Sequence, residues 1–428
     1  MGIFVTMSKL SRLRLLGNFP ASSSLALGSL VLLGALHVSG CGDDGDGGAG
    51  SGGSGGGSTT EASSTTGSAT SGPASGSTST STGGPDASSS ASGGGDGGSG
   101  DGGGGGDVAT GGGGSGGGVP PVDSGLPTPP GAANVAKPSG AAGGFKVIDW
   151  AGFSGAVTYT FDDVNSSQIQ NYETLKGLGV PFTFYVWTGR AEANDPVWQR
   201  ALDDGHELAN HTMSHMSGDS GSDTDAATRW LREKFDLTPW TMAAPNGASV
   251  YTGIARTRFM INRGVSNNLI SPNDSTDPFT LPTFIPPTGA STAVMDEQVT
   301  SARTAKKWRT FCIHGFTGGS DSAYQPIPLQ AFVDHVKHVK DFGDVWIGTM
   351  ENVGAYWRGQ KAVTSGTTMM SGGETTYNWQ LPDHFPPGKY VRVTVTGGTL
   401  KQNGVPLPWN PRGYYEVALD PKSVTLSP

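Results

Sequence analysis

From residue 145 onward, short apolar runs alternate with amphipathic stretches. Ala156-Val157-Thr158-Tyr159-Thr160-Phe161 reads as a buried strand, and Pro181-Phe182-Thr183-Phe184-Tyr185-Val186 as another. Between them Ile169, Tyr172, Leu175 and Leu178 recur at spacings of three, which predicts a helix over 167–178 stopped by Gly179. The same alternation predicts helices over 196–203, 223–235, 249–262, 329–340 and 351–357. It predicts strands over 206–209, 240–243, 309–313 and 345–348. Repeating strand–helix units imply a parallel sheet, and their even spacing favours closure. The fold class expected is therefore α/β, a distorted (β/α) barrel over 145–360. The tail changes period: Tyr390-Val391-Arg392-Val393-Thr394-Val395-Thr396 alternates every second residue and is followed by Gly397-Gly398 and Asn403-Gly404 turns. Residues 361–428 are expected to form a small C-terminal antiparallel β appendage.

The first third has no such pattern. Glycine fills 70 of 428 positions and crowds there with Ser, Thr and Ala. Residues 42–140, ending in a Pro-rich patch, cannot bury enough apolar area to offset their ordering entropy, so a disordered linker is expected. A flexible coil of that length reaches about 50–60 Å. Before it, Lys9, Arg12 and Arg14 precede the apolar stretch 25–36, the build of a secretory signal. Val38-Ser39-Gly40-Cys41 closes the stretch and resembles a bacterial lipoprotein signal. That resemblance implies a signal peptide over 1–41, lipidation of Cys41 and an extracytoplasmic, lipid-anchored protein at the cell envelope. The alternative is an ordinary signal peptide in which Cys41 is incidental. A formal net charge of -9 argues against general nucleic-acid binding. Two cysteines, Cys41 and Cys312, are too few for a disulfide scaffold.

Two local patterns carry chemistry. Thr160-Phe161-Asp162-Asp163 puts paired carboxylates at the C-terminal end of the first strand, where barrel enzymes keep their active sites. His211-Thr212-Met213-Ser214-His215 sets two imidazoles at i and i+4, which on a helical turn share one face. Two His and a carboxylate leave open positions on a divalent metal, the mark of a catalytic site. His314 closes the apolar strand Thr310-Phe311-Cys312-Ile313. Trp187 and Trp240 fall at predicted strand ends, where core packing competes with sugar stacking. Cys312 reads as a small buried hydrophobe, and His335 and His338 as solvent-facing.

Together these segments resemble the NodB-homology polysaccharide deacetylases, carbohydrate esterase family four, over about 157–356. The family's T-F-D-D stands as Thr160–Asp163 and its H-[ST]-x-x-H as His211–His215. The resemblance implies Asp162 as general base and Asp163, His211 and His215 as metal ligands. It implies His314 as the acid for the departing amine and the Asn246 backbone N–H as an oxyanion donor. The cofactor implied is a divalent metal, with Zn²⁺ expected, and the partner an acetylated polysaccharide. The third motif departs: where the family has R-P-P-Y-G, this chain reads Ala243-Ala244-Pro245-Asn246-Gly247, so the arginine that orients the base is missing. Arg190 is a substitute, set against a solvated role. The function expected is metal-dependent removal of N-acetyl groups from a glycan. An acetylxylan-type O-esterase, another amidohydrolase, and a catalytically silent glycan-binding protein are the rivals.

Overall fold

The computed structural model describes residues 123–428. The signal-like segment with Cys41, and the linker up to residue 122, lie outside the described residues. Among the described residues a short strand, β1 (Lys146–Val147), precedes the barrel strands β2 (Gly155–Asp162), β3 (Thr183–Val186), β4 (Glu207–Asn210), β5 (Thr241–Ala243), β6 (Ile261–Arg263), β7 (Trp308–Ile313) and β8 (Val345–Ile347). All seven barrel strands are parallel, in the order β6-β5-β4-β3-β2-β7, with β8 paired to the first half of β2. No regular strand joins β6 to β7. Irregular backbone closes the gap instead: Gly264 N–H donates to Leu281 O, and Cys312 N–H to Phe284 O. This is the distorted barrel expected from the sequence.

Period-two alternation sorts the side chains of each strand. On β2, Val157, Tyr159 and Phe161 face outward into the main core beneath the helices. That core is aromatic, with Tyr159, Phe161, Phe182, Phe184, Phe311 and Phe332 packed ring to ring. The other positions, Ala156, Thr158, Thr160 and Asp162, face the barrel interior and are themselves small or polar. Thr160 Oγ1 donates to Phe311 O at 2.7 Å, and Trp308 Nε1 to Thr158 Oγ1 at 3.1 Å. Lower in the barrel the Glu207 carboxylate accepts from Thr183 and Thr241 hydroxyls and from Glu351 N–H. Burial pushes that carboxyl up to about 7.

The helices are α1 (Ser166–Gln170), α2 (Tyr172–Lys176), α3 (Val197–Asp203), α4 (Ser222–Phe235), α5 (Val250–Arg256), α6 (Thr292–Ala305), α7 (Leu329–Asp341) and α8 (Met350–Thr364). Three expectations need correction. The single helix over 167–178 is two, broken where the Asn171 side chain donates to Ser167 O. The helix expected over 249–262 ends at Arg256, and Ile261–Arg263 is strand β6; the run Phe259-Met260-Ile261 suits either period. His335 is fully buried, because α7 packs it between Tyr159 Oη (2.8 Å) and Asp296 Oδ1 (2.6 Å).

The tail forms β9 (Thr367–Ser371), β10 (Glu374–Asn378), β11 (Tyr390–Thr394), β12 (Thr399–Gln402), β13 (Val405–Pro406), β14 (Tyr415–Ala418) and β15 (Ser423–Ser427). They make two antiparallel sheets, β1-β11-β14 and β13-β12-β15-β10-β9. The antiparallel appendage is thus present, but it borrows β1 from ahead of the barrel. Its Val391, Val393, Leu400 and Val417 share one core with Trp150, Trp308, Trp346 and α8, at the N-terminal ends of the barrel strands. Residues 123–140, expected to belong to the disordered linker, run along this appendage. Buried Arg392 donates to Leu126 O and Pro127 O, and Val135 N–H donates to Pro411 O. Proline-rich backbone has spare carbonyls, and arginine donors capture them.

One buried histidine makes stability pH-dependent. His206 Nδ1 accepts the Phe182 N–H at 3.0 Å, and burial pushes the ring down to about 4. The unfolded ring, near 6.5, binds its proton first, so stability is full above pH 6.5 and falls as pH drops toward 4. The loss expected is up to about 3 kcal/mol at about 1.4 kcal/mol per unit. Urea unfolding at pH 7.5 and pH 5 is expected to show a smaller difference in His206→Asn, which keeps an acceptor but cannot titrate.

Candidate active site

The same alternation that turns the small and polar groups of β2 inward aims a set of reactive ones at the C-terminal mouth. Asp162 ends β2, Arg263 ends β6, and Cys312 followed by His314 ends β7; all are interior positions of their strands. His211 follows β4 in the same phase as Glu207 and Ala209. The segment 211–215 is not the helical turn expected from its spacing. It is a tight loop with positive φ at Thr212 (61°) and His215 (52°), held because Thr212 Oγ1 accepts the His215 N–H at 3.1 Å. The two imidazoles are brought together by that loop rather than by helical periodicity.

Asp163, His211 and His215 converge. Asp163 Oδ1 lies 3.4 Å from His211 Nε2 and 3.3 Å from His215 Nε2, and the two Nε2 atoms are 3.1 Å apart. His211 Nδ1 is 3.0 Å from Ala243 O. A proton donated there leaves Nε2 unprotonated and aimed at the cluster. Buried Asp163 Oδ1 has no hydrogen-bond partner. Burial opposes ionisation of Asp163, but the neighbouring imidazoles outweigh it and hold the carboxyl well below its usual range. An anionic oxygen and two imidazole nitrogens converging without other partners fit a divalent transition metal.

Asp162 sits beside this cluster, its Oδ2 3.7 Å from His211 Nε2, but its own partners differ. Its Oδ2 accepts from Arg263 Nη2 and from the Cys312 thiol at 3.4 Å, and stands 4.0 Å from His314 Nε2. Both charged groups are almost wholly buried, with Asp162 2% and Arg263 1% exposed. Burial raises the Asp162 carboxyl; Arg263, with His211 and His314, more than reverses this, and it lies below its usual value. Burial instead pushes His314 down. Gln168 Nε2 donates to both Asp162 O (2.6 Å) and His314 O (2.8 Å), tying the two strand ends together.

Arg263 stands where the sequence showed a loss. In the parallel register β5 and β6 pair Ala243 with Arg263, so their side chains project to the same side of the sheet. An alanine on one strand makes room for the arginine on the next. Arg263 was missed because its strand was read as the end of a helix; an arginine closing the apolar run Met260-Ile261 is the signal that was available. Arg190 does not take this place: its Nη1 donates to Asn165 Oδ1 at 2.7 Å, and it pairs with Glu192. Cys312 is buried as expected, yet its thiol faces the Asp162 carboxylate. Trp187 stacks on His215, with centroids 4.7 Å apart, and donates to Met213 O. Trp240 is half-buried and does not line the cleft.

These groups line one cleft of about 520 Å³, with Asn246, Val265, Ile285 and Tyr324 on its walls. Asn246, at φ 55°, spends its side-chain amide on His215 O and Ser217 Oγ. Removing one partner of a buried ion pair strands the other charge. Arg263→Ala is therefore expected to destabilise by about 3–5 kcal/mol. Arg190→Ala, at a half-buried surface pair, is expected to cost less than about 1 kcal/mol. Urea denaturation of both variants checks the difference.

The family model described as polysaccharide deacetylase matches residues 154–255. No curated protein sequence matches the chain. Among solved structures, a candidate polysaccharide deacetylase from Mycobacterium smegmatis is 17% identical, covering 54% of this chain and 96% of its own, with a TM-score of 0.41. The peptidoglycan deacetylase PdaC from Bacillus subtilis is 17% identical, covering 46% and 89%, with a TM-score of 0.32. A family 4 acetyl xylan esterase from Clostridium thermocellum, solved in complex with a cobalt ion, is 18% identical, covering 46% and 89%, with a TM-score of 0.31. By sequence, what is similar to the polysaccharide deacetylases is the segment 154–255, which holds Asp162, Asp163, His211 and His215 and stops short of Arg263 and His314.

Proposed function

We propose that this chain is a metal-dependent hydrolase that removes N-acetyl groups from an acetylated glycan, held at the cell envelope by a lipid on Cys41. The observation that carries the reading is the convergence of Asp163, His211 and His215 beside a second, differently partnered aspartate in one cleft. Asp163, His211 and His215 would hold the ion, with Zn²⁺ the expected occupant. When bound, such an ion supplies Lewis acidity that polarises an acyl carbonyl and acidifies water.

The chain's own groups divide the remaining work. Asp162, kept ionised by Arg263, takes the proton of the attacking water. The backbone N–H of Asn246, on the cleft wall, donates to the oxygen that becomes negative as the carbonyl turns tetrahedral. His314 delivers a proton to the departing nitrogen. An amine leaves badly unless protonated, so an acid placed close to the base favours an amide over an ester substrate. Arg263 also weakens the reading of the cleft as catalytically silent, since the guanidinium absent at Ala243 is present one strand away; the Asn246 departure from the family's aromatic is unaffected by it.

Acetate release from N-acetylated chito-oligosaccharides, abolished by a chelator and restored by Zn²⁺, is the expected result. Ester-only turnover of acetylxylan supports the esterase reading, and no metal-dependent release from either supports a binder. Asp162→Asn is expected to lower turnover at least about a hundredfold with stoichiometric metal retained by elemental analysis; loss of the metal instead exchanges the roles of Asp162 and Asp163. The strand exchange has its own test. Arg263→Ala is expected to lose most activity, and adding Ala243→Arg to it is expected to recover at least about tenfold, because the new guanidinium enters the same interior space.

A further inference from the structure

Among the described residues Tyr324 is the one aromatic side chain left broadly exposed, at 58%. The other Phe, Tyr and Trp side chains of the described residues are buried or half-buried. The exposed ring is not on an idle surface. Tyr324 lines the cleft and meets His314 edge-on, with centroids 5.2 Å apart and the planes at 82°.

The loop that presents it, 315–328, is fixed at several points. The Asp321 carboxylate accepts from Ser167 N–H (2.6 Å) and Ser166 Oγ (3.3 Å), at the start of the helix that follows Asp162 and Asp163. Phe316 N–H donates to Ser167 Oγ at 3.1 Å, and Thr317 N–H and Ile327 N–H bond across the loop's base. At Gly315 a Cβ would come within 2.6 Å of Ser167 Oγ and 2.8 Å of the Ala323 Cβ, so the loop packs where only glycine fits. With 58% of its surface open, most of the Tyr324 ring remains available to a ligand in the cleft. Val265, 46% exposed, offers an apolar surface elsewhere on the cleft wall. No Lys side chain lines the cleft, and its one arginine is committed to Asp162.

We propose that Tyr324 is a preorganised platform for a pyranose ring of the substrate, stacking on the sugar's C–H face and setting the departing nitrogen beside His314. This inference rests on the reading of the cleft as a site of glycan chemistry. An aromatic face recognises an uncharged ring with axial hydrogens; it does little for an acetylated lysine side chain or another acyclic amide. Tyr324 thus selects for acetyl groups carried on sugars.

The test is calorimetric binding of tri-N-acetylchitotriose and of acetylated xylotriose to the full chain carrying Asp162→Asn, which suppresses turnover. In that background Tyr324→Ala is expected to weaken the better ligand at least tenfold, about 1.4 kcal/mol. Tyr324→Phe is expected to stay within twofold, and Tyr324→Trp to bind as well or more tightly. Thermal melts confirm that the variants fold; the ring is exposed, and little packing is lost. Unchanged affinity in Tyr324→Ala overturns the proposal, as does equal weakening in Tyr324→Phe or no binding of either sugar to the parent. Binding that depends on the ring without acetate release from the unmutated chain leaves the platform standing and sinks the hydrolase reading.

Discussion

Taking a carboxylate and a guanidinium out of water costs several kcal/mol per ion, and attraction recovers that only where the geometry is good. Asp162 and Arg263 meet inside the barrel almost without solvent, and the cleft is arranged around the charge they share. Arg263 lies beneath the mouth, near the face of Tyr185 and donating to Gly264 O at 3.1 Å. Asp162 Oδ1 is buried and left without a hydrogen-bond partner. Without Arg263, burial would raise the Asp162 carboxyl, and the two adjacent aspartates would compete for one proton. With it, Asp162 and Asp163 stay ionised side by side and serve different purposes.

The barrel makes that separation affordable by putting its apolar mass elsewhere. The larger aromatic core lies outside the strands, under α3, α6 and α7, while threonines, alanines and Glu207, with Tyr185 and Trp308, line the interior. A hydrogen-bonded interior leaves room at the mouth for long charged side chains. The appendage joins at the opposite end, through Trp150, Trp308, Trp346 and Trp357. None of the cleft-lining residues comes from it, which fits a role in closing the barrel floor.

Legibility in the sequence followed the physics of each element. Strands β2, β3 and β7 were readable because they are unbroken apolar runs ended by turn residues. Asp162, Asp163, His211 and His215 were readable because they follow such runs at fixed spacing. Strand β6 was not: three residues beside the short helix α5 suit either period, and only the pairing Ala243↔Arg263 shows that an arginine sits next to an alanine. Partnership across a parallel sheet is a relation between strands distant in sequence, so no local pattern reports it. His335 was misplaced for a similar reason, since its partners Tyr159 and Asp296 come from two other elements. The backbone partners of residues 123–140 were equally hidden, because composition says nothing about where Arg392 lies.

The described residues contain two groups able to hold a metal, Asp163-His211-His215 and Asp162-Cys312-His314, and they differ in one atom type. Only the second contains sulfur. X-ray absorption at the metal edge of the zinc-loaded protein therefore tests the central claim most directly. Two imidazoles and oxygen donors at about 2.0–2.2 Å, with no sulfur shell, are the predicted result. A sulfur scatterer near about 2.3 Å, or no stoichiometric zinc, contradicts the assignment of ligand, base and acid on which the proposed chemistry stands.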